Sequence, residues 1–417
     1  MVKRIAAIIF IWICTAVAWG ILGSSIFVRS ESSGQKLEGR VANIWGAPHK
    51  QSPMQASYWV ATTTTEEVVE NGQKKTIVKP LNTLAHLPLE SSRIAVAFDL
   101  EHRQKGLMWF STYKVRFTGT YVFQNTSERD TTVTLSLPFP AAQAVYDDLQ
   151  FRLDGKPLPV ASDKASAQAT AVVPAHKSAE VTAQYSSQGL ESWRYSFGGD
   201  ISQVRDFELR MTTNFEEIDF PENTLAPTEK KQLHRGRELV WSYKNLVTGY
   251  DVAMVMPEKL QPGPLAGRIS LFAPVSLFFF FFLMFIITTL RGIELHPMNY
   301  FFLAAAFFAF HLLLAYLADH ISIHLAFAIC SLVSLFLVVS YLRLVVGPRF
   351  AAVEAGVSQL IYLVGFSYAF FFKGYTGLTV TIGAIITLFV VMQMTGRIRW
   401  AERFASQAGT AGARGTF

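Results

Sequence analysis

The chain has 417 residues, of which 51% are hydrophobic and only 16% charged, and its formal net charge at pH 7 is +6. This composition excludes an ordinary soluble protein, in which about 25% of residues are charged. Residues 29–268 are electrically neutral, so the excess of positive charge flanks the apolar parts of the chain. Such flanks are typical of the cytoplasmic side of a membrane protein. We therefore expect the lipid bilayer, and no nucleic acid, as a partner.

The first apolar stretch runs from residue 5 to residue 28 and follows Lys3 and Arg4. A span needs about 20 apolar residues, so residues 1–28 predict an N-terminal transmembrane anchor. A cleaved signal peptide with its cleavage site at residues 16–18 is the alternative. The apolar run continues beyond that site to Phe27, which is longer than a signal sequence requires and favours the anchor.

Residues 29–266 differ in character and predict an extracytoplasmic, all-β, sandwich-like domain. Short segments rich in Val, Thr and aromatic residues alternate between apolar and polar positions and are separated by turn residues. The predicted strands are 58–69, 74–78, 109–123, 132–137, 180–185, 207–213, 239–243 and 251–256. Their regular spacing is compatible with one antiparallel sandwich or with two.

Turn residues divide this domain further. Asn-Gly at 71–72 and Asp-Gly at 154–155 predict hairpin turns. Asn-Thr-Ser at 125–127 matches a glycosylation sequence, but we interpret it as a hairpin turn between the strand at 109–123 and its partner at 132–137. Residues 161–171 are rich in Ala and Ser and predict either a helix or a loop. The residues 261–264, Gln-Pro-Gly-Pro, are interpreted as the linker that leaves the domain.

Residues 267–417 predict a bundle of about five transmembrane helices with a short cytoplasmic tail. The apolar runs at about 269–290, 298–317, 321–342, 351–372 and 376–395 are each long enough to span a bilayer. Arginines lie at alternate ends of these runs, at Arg291, Arg343, Arg349, Arg397, Arg399 and Arg403, and Asp319 and Lys373 mark the other side. The positive-inside rule then puts both termini in the cytoplasm and the β-domain in the periplasm.

Polar residues within or beside these spans are the candidate functional residues. His311 lies inside a span, where an ionisable side chain is costly, and could act as a proton or ion relay. Because no acid matches it at midspan, we favour a neutral imidazole bonded to a neighbouring helix. Asp319 and His320, with His324, could hold a divalent metal. We favour Asp319 as the cap of the next helix and predict no metal and no other cofactor.

Signatures of enzymes are scarce in the sequence. The motifs GxxxxGK[ST], GxSxG, HExxH and GxGxxG do not occur. The histidines of the predicted β-domain show no metal-ligand spacing and are expected at the surface or in turns: His49, His86, His102, His176 and His234. We therefore predict that the protein is not an enzyme.

One motif carries a family resemblance. Residues 295–300, Leu-His-Pro-Met-Asn-Tyr, are followed by a leucine-rich segment that ends in Asp319 and His320. This pattern, continued through residues 326–342, resembles the CreD family of bacterial inner-membrane proteins, which also have one N-terminal span, a large periplasmic domain and a C-terminal bundle. The resemblance implies a role in envelope integrity and in tolerance of cell-wall-directed or membrane-active agents. It carries over no catalytic residues.

The motif also has a physical interpretation as the start of a helix. Pro297 suits the first helical position, because its fixed φ fits the helix and its missing N–H would be unpaired there. His296 precedes it at the helix boundary. Tyr300 is expected near the lipid headgroups, as are Trp12 and Trp19.

Three functions remain open at this point. The first, which we favour, is a non-enzymatic envelope protein whose β-domain binds a periplasmic or envelope partner. The second is a small transporter or channel that uses His311 and Glu354, and the third is a periplasmic hydrolase. A transporter requires a polar path, yet nearly all midspan residues are apolar, and a hydrolase requires a nucleophile and base that the sequence does not reveal.

Overall fold

The computed structural model describes residues 2–70, 73–106, 108–142, 144–198, 202–372 and 374–396. The chain divides into two compact units. The helical unit consists of Met1–Ser33 and Leu260–Phe417, and the β-rich unit consists of Gly34–Lys259.

The first helix, α1, covers Val2–Trp45 and is longer than the predicted anchor, which ended at residue 28. No proline interrupts the chain before Pro48, so the polar residues after the apolar stretch continue the helix. Gly46, with a φ of 133°, lies in a region that L side chains rarely adopt and follows the end of α1.

The last turns of α1 have an apolar stripe of their own. Leu37, Val41 and Trp45 are spaced by four residues and therefore lie on one face of the helix. This stripe packs with buried Phe110 and Leu190 in a small hydrophobic cluster of the β-rich unit. The helix therefore continues because its polar segment has an apolar face to bury.

The described part of the β-rich unit contains sixteen strands. They are β1 (His49–Gln51), β2 (Gln55–Glu70), β3 (Gln73–His86), β4 (Leu89–Lys105), β5 (Met108–Gln124), β6 (Thr131–Pro138), β7 (Tyr146–Leu153), β8 (Lys156–Leu158), β9 (Ala161–Ser162), β10 (Ser166–Val173), β11 (Ser178–Leu190), β12 (Ser192–Tyr195), β13 (Ser202–Thr213), β14 (Glu229–Gln232), β15 (Arg237–Thr248) and β16 (Val252–Val255).

All eight predicted strands are confirmed: seven lie within these strands, and the eighth, 251–256, contains β16. The hairpin turn at Asp154 and Gly155 is confirmed as well, because Leu153 pairs with Lys156 across it. The predicted turn at 71–72 lies outside the described residues. The prediction for 161–171 was wrong, since this segment forms β9 and most of β10. Its alanines at 167, 169 and 171 alternate with polar residues and enter the core, so pattern overrides helix propensity.

The strands form three sheets, with the orders β1-β12-β16, β3-β2-β6-β10-β9 and β14-β15-β13-β4-β5-β11-β7-β8. Most neighbours are antiparallel, as predicted, but β4 runs parallel to β13 and β1 runs parallel to β12. One hydrophobic cluster takes residues from all three sheets, including Phe117, Leu135 and Trp193. A sandwich arrangement of the sheets stays a prediction.

The turn after β5 is built around Asn125, whose side chain is fully buried. Its Nδ2 lies 2.9 Å from the carbonyl oxygens of Arg129 and Val173, and its Oδ1 accepts from the Ser127 N–H at 3.0 Å. The asparagine therefore joins this segment to the end of β10. The predicted hairpin at residues 125–127 was wrong, because β5 and β6 belong to different sheets and do not pair with each other.

Five helices follow the β-rich unit: α2 (Pro262–Arg291), α3 (Pro297–Leu317), α4 (Ile323–Val345), α5 (Phe350–Phe371) and α6 (Thr376–Thr395). Together with α1, six helices in the described residues are long and apolar enough to cross a membrane. Helix α2 begins at Pro262, within the segment interpreted as a linker, because proline is favourable in a first helical turn.

The fifth helix departs from regular α geometry. Two stretches of α5, Phe350–Ala355 and Leu360–Gly365, are π-helical, and Gly356–Gln359 between them is α-helical. A π turn accommodates one more residue than an α turn and is often found at functional positions. These turns therefore set which side chains of α5 face the other helices.

Candidate functional site

The motif of the CreD resemblance forms the start of α3. Pro297 is the first residue of the helix, as predicted, and His296 is its N-cap, with Nδ1 accepting from the Met298 N–H at 3.2 Å. Tyr300 was expected near the headgroups, but it is fully buried and packs edge-on against Phe281 at 5.2 Å between ring centroids. The motif therefore forms the first turn of α3 and packs it against α2.

His311 is fully buried in α3. Its Nδ1 lies 2.9 Å from the carbonyl oxygen of Phe307, one turn earlier, and a carbonyl can only accept, so Nδ1 carries the proton. The predicted hydrogen bond to a neighbouring helix was wrong, because the imidazole bonds within α3. The ring lies edge-on to Trp19 of α1, with centroids 5.4 Å apart. Trp19, predicted as an interface anchor, is likewise fully buried.

Asp319 does not cap the next helix. The N-cap of α4 is Ser322, and the Asp319 carboxylate instead pairs with Arg29 of α1 at 2.9 Å. The same Arg29 nitrogen donates to the carbonyl oxygen of Ala315 at 2.8 Å. Arg29 is far from Asp319 in sequence, so local spacing could not reveal the pair. His320 is exposed beside it.

We expect Asp319→Asn to destabilise the protein in detergent by up to about 1 kcal/mol, because both partners of the ion pair are partly exposed and screened. Asparagine caps helices as well as aspartate does, so a cap would survive this change whereas an ion pair would not. Thermal unfolding measures the loss, and His320→Asn is the matched neighbouring control. Full stability of Asp319→Asn would restore the capping interpretation.

A first polar contact between helices lies at the middle of α3 and α4. Ser334 of α4 donates to the carbonyl oxygen of Ala306 in α3 at 2.8 Å, and Gln359 of α5 donates to the Ser334 hydroxyl at 2.7 Å. All three residues are buried, and Gln359 lies between the two π-helical stretches. The amide therefore links three helices.

A second polar contact joins α2, α5 and α6. Ser276 donates to the carbonyl oxygen of Tyr362, and the Tyr362 hydroxyl lies 2.8 Å from the hydroxyl of Thr387. Thr387 in turn donates to the carbonyl oxygen of Gly383 at 2.7 Å. These hydrogen bonds occupy polar groups that a transport path would otherwise offer to a substrate.

Glu354, the other residue considered for transport, pairs with Arg291 at the end of α2. The carboxylate and guanidinium are 2.5 Å apart, and the Glu354 side chain is only 12% exposed. Its Oε2 atom is buried and has no hydrogen-bond partner among the described residues. Within this part of the chain, no hydrogen bond or ring contact joins Glu354 to His311, so the structure does not unite the two candidates of the transport hypothesis.

The β-rich unit has a groove of about 610 Å³ on the outward face of its eight-stranded sheet. Ala97 of β4, Arg116 of β5 and Ser186 of β11 lie side by side across this face, because Arg116 is in register with both neighbours. A depression of about 280 Å³ shares these three residues and extends to Arg210. The small alanine therefore leaves space beside an arginine side chain.

Arg116 differs from the other basic groups on this face. Lys114 pairs with Glu101 at 2.9 Å, and Arg210 lies 3.3 Å from Glu208. Arg116, by contrast, forms no ion pair or side-chain hydrogen bond within the residues that the structure describes. Its guanidinium is therefore available to an oxyanion, which it can bind through two parallel hydrogen bonds. Sequence reasoning missed this residue.

Three glutamates lie close together elsewhere in the β-rich unit. Burial, the negative charges of Glu38 and Glu258 and a hydrogen bond with Glu38 raise the pKa of Glu191 from 4.5 to about 7. Glu191 also has a φ of 62°, in the left-handed region. Between pH 4.5 and about 7, Glu191 therefore keeps its proton in the folded protein, whereas the unfolded chain releases it.

Stability contributed by this proton is fully present below pH 4.5 and is lost as the pH rises through 7. We therefore expect Glu191→Gln to raise the melting temperature at pH 8 by about 2–4 °C, the shift that about 1 kcal/mol gives a domain of this size. At pH 4.5 the variant and the parent should melt alike. Scanning calorimetry at both pH values tests this, with exposed Glu180→Gln as control, and a gain that is equal at both pH values would contradict it.

One histidine of the β-rich unit was assigned wrongly. His49 was expected at the surface or in a turn, but it lies in β1, is 2% exposed and packs edge-on against Tyr113. Burial lowers its pKa to about 4. Within the described residues, no group of three or more His, Cys, Asp or Glu side chains is arranged to hold a metal ion.

The apolar helices, each long enough to cross a membrane, define the class as a membrane protein with a large β-rich unit. The family model described as inner membrane protein CreD matches residues 252–401. The match confirms the resemblance and extends it from the motif to all five helices after the β-rich unit. The matched range is less than half of the chain.

Other comparisons add little. No curated protein matches the chain. A proposed nutrient-binding protein from Legionella pneumophila is 12% identical, with 56% of this chain and 76% of that chain covered and a TM-score of 0.36. An M1 zinc metallopeptidase variant from Deinococcus radiodurans is 10% identical, with 40% and 42% covered and a TM-score of 0.26. The chain thus spans less than half of that metallopeptidase chain.

Proposed function

We propose that this protein is a non-enzymatic inner-membrane protein that binds an anionic envelope component through its β-rich unit. In this proposal the β-rich unit is periplasmic and both termini are cytoplasmic. The CreD match supports a role in envelope integrity and in tolerance of agents that act on the wall or membrane. The observation that carries the proposal is the groove around Arg116.

Three properties of the groove support binding. Its volume of about 610 Å³ is within the range of ligand sites. Arg116 supplies a positive charge that forms no ion pair within the described part of the chain. Gln188 and Asn214, which also line the groove, supply amide groups that can donate and accept. Asp99 and Asp147 lie in the same lining, which favours a ligand whose anionic group is accompanied by hydrogen-bond donors.

The helices are best explained as an anchor. Their buried polar side chains, Ser276, Ser334, Gln359 and Tyr362, make hydrogen bonds between helices. Such bonds stabilise helix association in lipid. The transporter hypothesis gains no support from this arrangement.

In-cell photocrosslinking tests the binding proposal. A photoreactive amino acid at Ser186, in the groove, should capture an envelope component, whereas the same residue at Lys244 of β15 should not. Adding Arg116→Ala should lower the yield at Ser186 about tenfold, since a lost charge-assisted hydrogen bond costs about 1.5 kcal/mol or more. Arg152→Ala, on β7 of the same sheet, is the matched control. Equal yields with Arg116→Ala and Arg152→Ala would refute the groove as the binding site.

Reporter fusions test the topology separately. Fusions after Phe110 and Ser187 should report the periplasm, and fusions after Arg349 and Arg403 should report the cytoplasm. A cytoplasmic signal after Ser187 would overturn the proposed orientation.

A further inference from the structure

An apolar groove runs along the pair α1 and α2 within the helical unit. It has a volume of about 420 Å³ and is lined by Ile5, Ile8, Ile9, Trp12, Phe278, Phe281, Phe282 and Phe285. The stretch from Ile5 to Trp12 makes the groove about 10 Å long, at 1.5 Å per residue. Trp12 is fixed at one end, where its Nε1 donates to the carbonyl oxygen of Pro274 at 2.9 Å.

Arg4 lies at the other end. Its guanidinium carbon is 6.0 Å from the centre of the Phe285 ring, which itself lines the groove. The Nε and Nη2 atoms of Arg4 are shielded from solvent and have no hydrogen-bond partner among the described residues. Two shielded and unpaired nitrogens on a charged group are costly, so this position favours an anionic partner.

Arg4 forms no ion pair with an acid of the described residues. Lys3, the next residue in α1, is exposed and adds a second positive charge. The groove therefore combines a positive charge at one end with an apolar channel that leads away from it.

We propose that this groove binds one anionic phospholipid, with its phosphate on Arg4 and part of an acyl chain between α1 and α2. The lipid comes from the bilayer leaflet that contacts Lys3 and Arg4. Arginine pairs with phosphate through two hydrogen bonds, which a zwitterionic headgroup satisfies less well because its ammonium opposes the arginine. This site is independent of the groove in the β-rich unit.

Native mass spectrometry of the purified full chain in mild detergent tests the proposal. Phosphatidylglycerol and phosphatidylcholine are added at equal concentrations, and the lipid bound per chain is measured. We expect a preference of about tenfold for phosphatidylglycerol, and Arg4→Gln should abolish it, because a charge-assisted pair is worth about 1.4 kcal/mol or more. Lys3→Gln, which removes the same charge one residue away, should retain it.

A second variant tests the acyl groove without changing charge. Ile9→Trp fills the groove from α1 and should lower retention of both lipids severalfold, and it carries the test if Arg4→Gln fails to fold. Equal retention of the two lipids by the parent chain would overturn the proposal. Equal losses in Lys3→Gln and Arg4→Gln would also overturn it, since the attraction would then be a diffuse surface effect.

Discussion

Asn125→Ala should lower the free energy of unfolding of the β-rich unit by about 3 kcal/mol. The change leaves the carbonyl oxygen of Val173 and the N–H of Ser127 without their Asn125 partner, and each buried unpaired group costs about 1–3 kcal/mol. A urea titration of the full chain in detergent, followed by pulse proteolysis, measures the loss.

Asn82→Ala, at an exposed position of β3, is the matched control and should change stability by less than about 0.5 kcal/mol. Asn125→Asp keeps the acceptor for Ser127 but loses the donors, so it should resemble Asn125→Ala. If Asn125→Ala lowers the free energy of unfolding no more than Asn82→Ala does, the turn does not depend on its buried amide.

Arg291→Gln should destabilise the helical unit by about 2 kcal/mol. It leaves the Glu354 carboxylate, only 12% exposed, without its ion partner, and a buried unpaired charge is strongly unfavourable. We expect less than the full penalty for a buried pair, because the Arg291 side chain is 54% exposed. Thermal unfolding in detergent measures the effect.

The double variant Arg291→Gln/Glu354→Gln removes both charges and should recover much of the loss. Arg343 is an exposed arginine at the end of α4, and Arg343→Gln should leave the thermal stability almost unchanged. If the double variant is as unstable as the sum of the two single changes, the ion pair does not explain the position of Glu354.

The predictable parts of the fold rest on local patterns. Alternation in 109–123 identifies β5, because every second side chain enters the core, from Tyr113 to Phe123. Apolar length identifies the helices, and Pro297 identifies the start of α3. The stripe of Leu37, Val41 and Trp45 was also readable in the sequence, but polar residues around it concealed the continuation of α1.

The remaining features depend on residues that are distant in sequence. Arg29 meets Asp319, and β4 meets β13 in parallel, only after the chain has folded. The same holds for Arg116: its sequence neighbourhood is that of any outward-facing strand residue. What distinguishes it is that neighbouring strands place the small side chains of Ala97 and Ser186 beside it.

The π turns of α5 have a consequence for the lengths of related sequences. A π turn holds one residue more than an α turn, so deleting one residue within Phe350–Ala355 converts it to α geometry. Gln359 and Tyr362 would keep their orientation, and their hydrogen bonds to other helices would survive. A deletion in the regular helix α4 would instead rotate every later side chain by about 100°. Relatives that differ by one residue in length should therefore differ at these turns of α5.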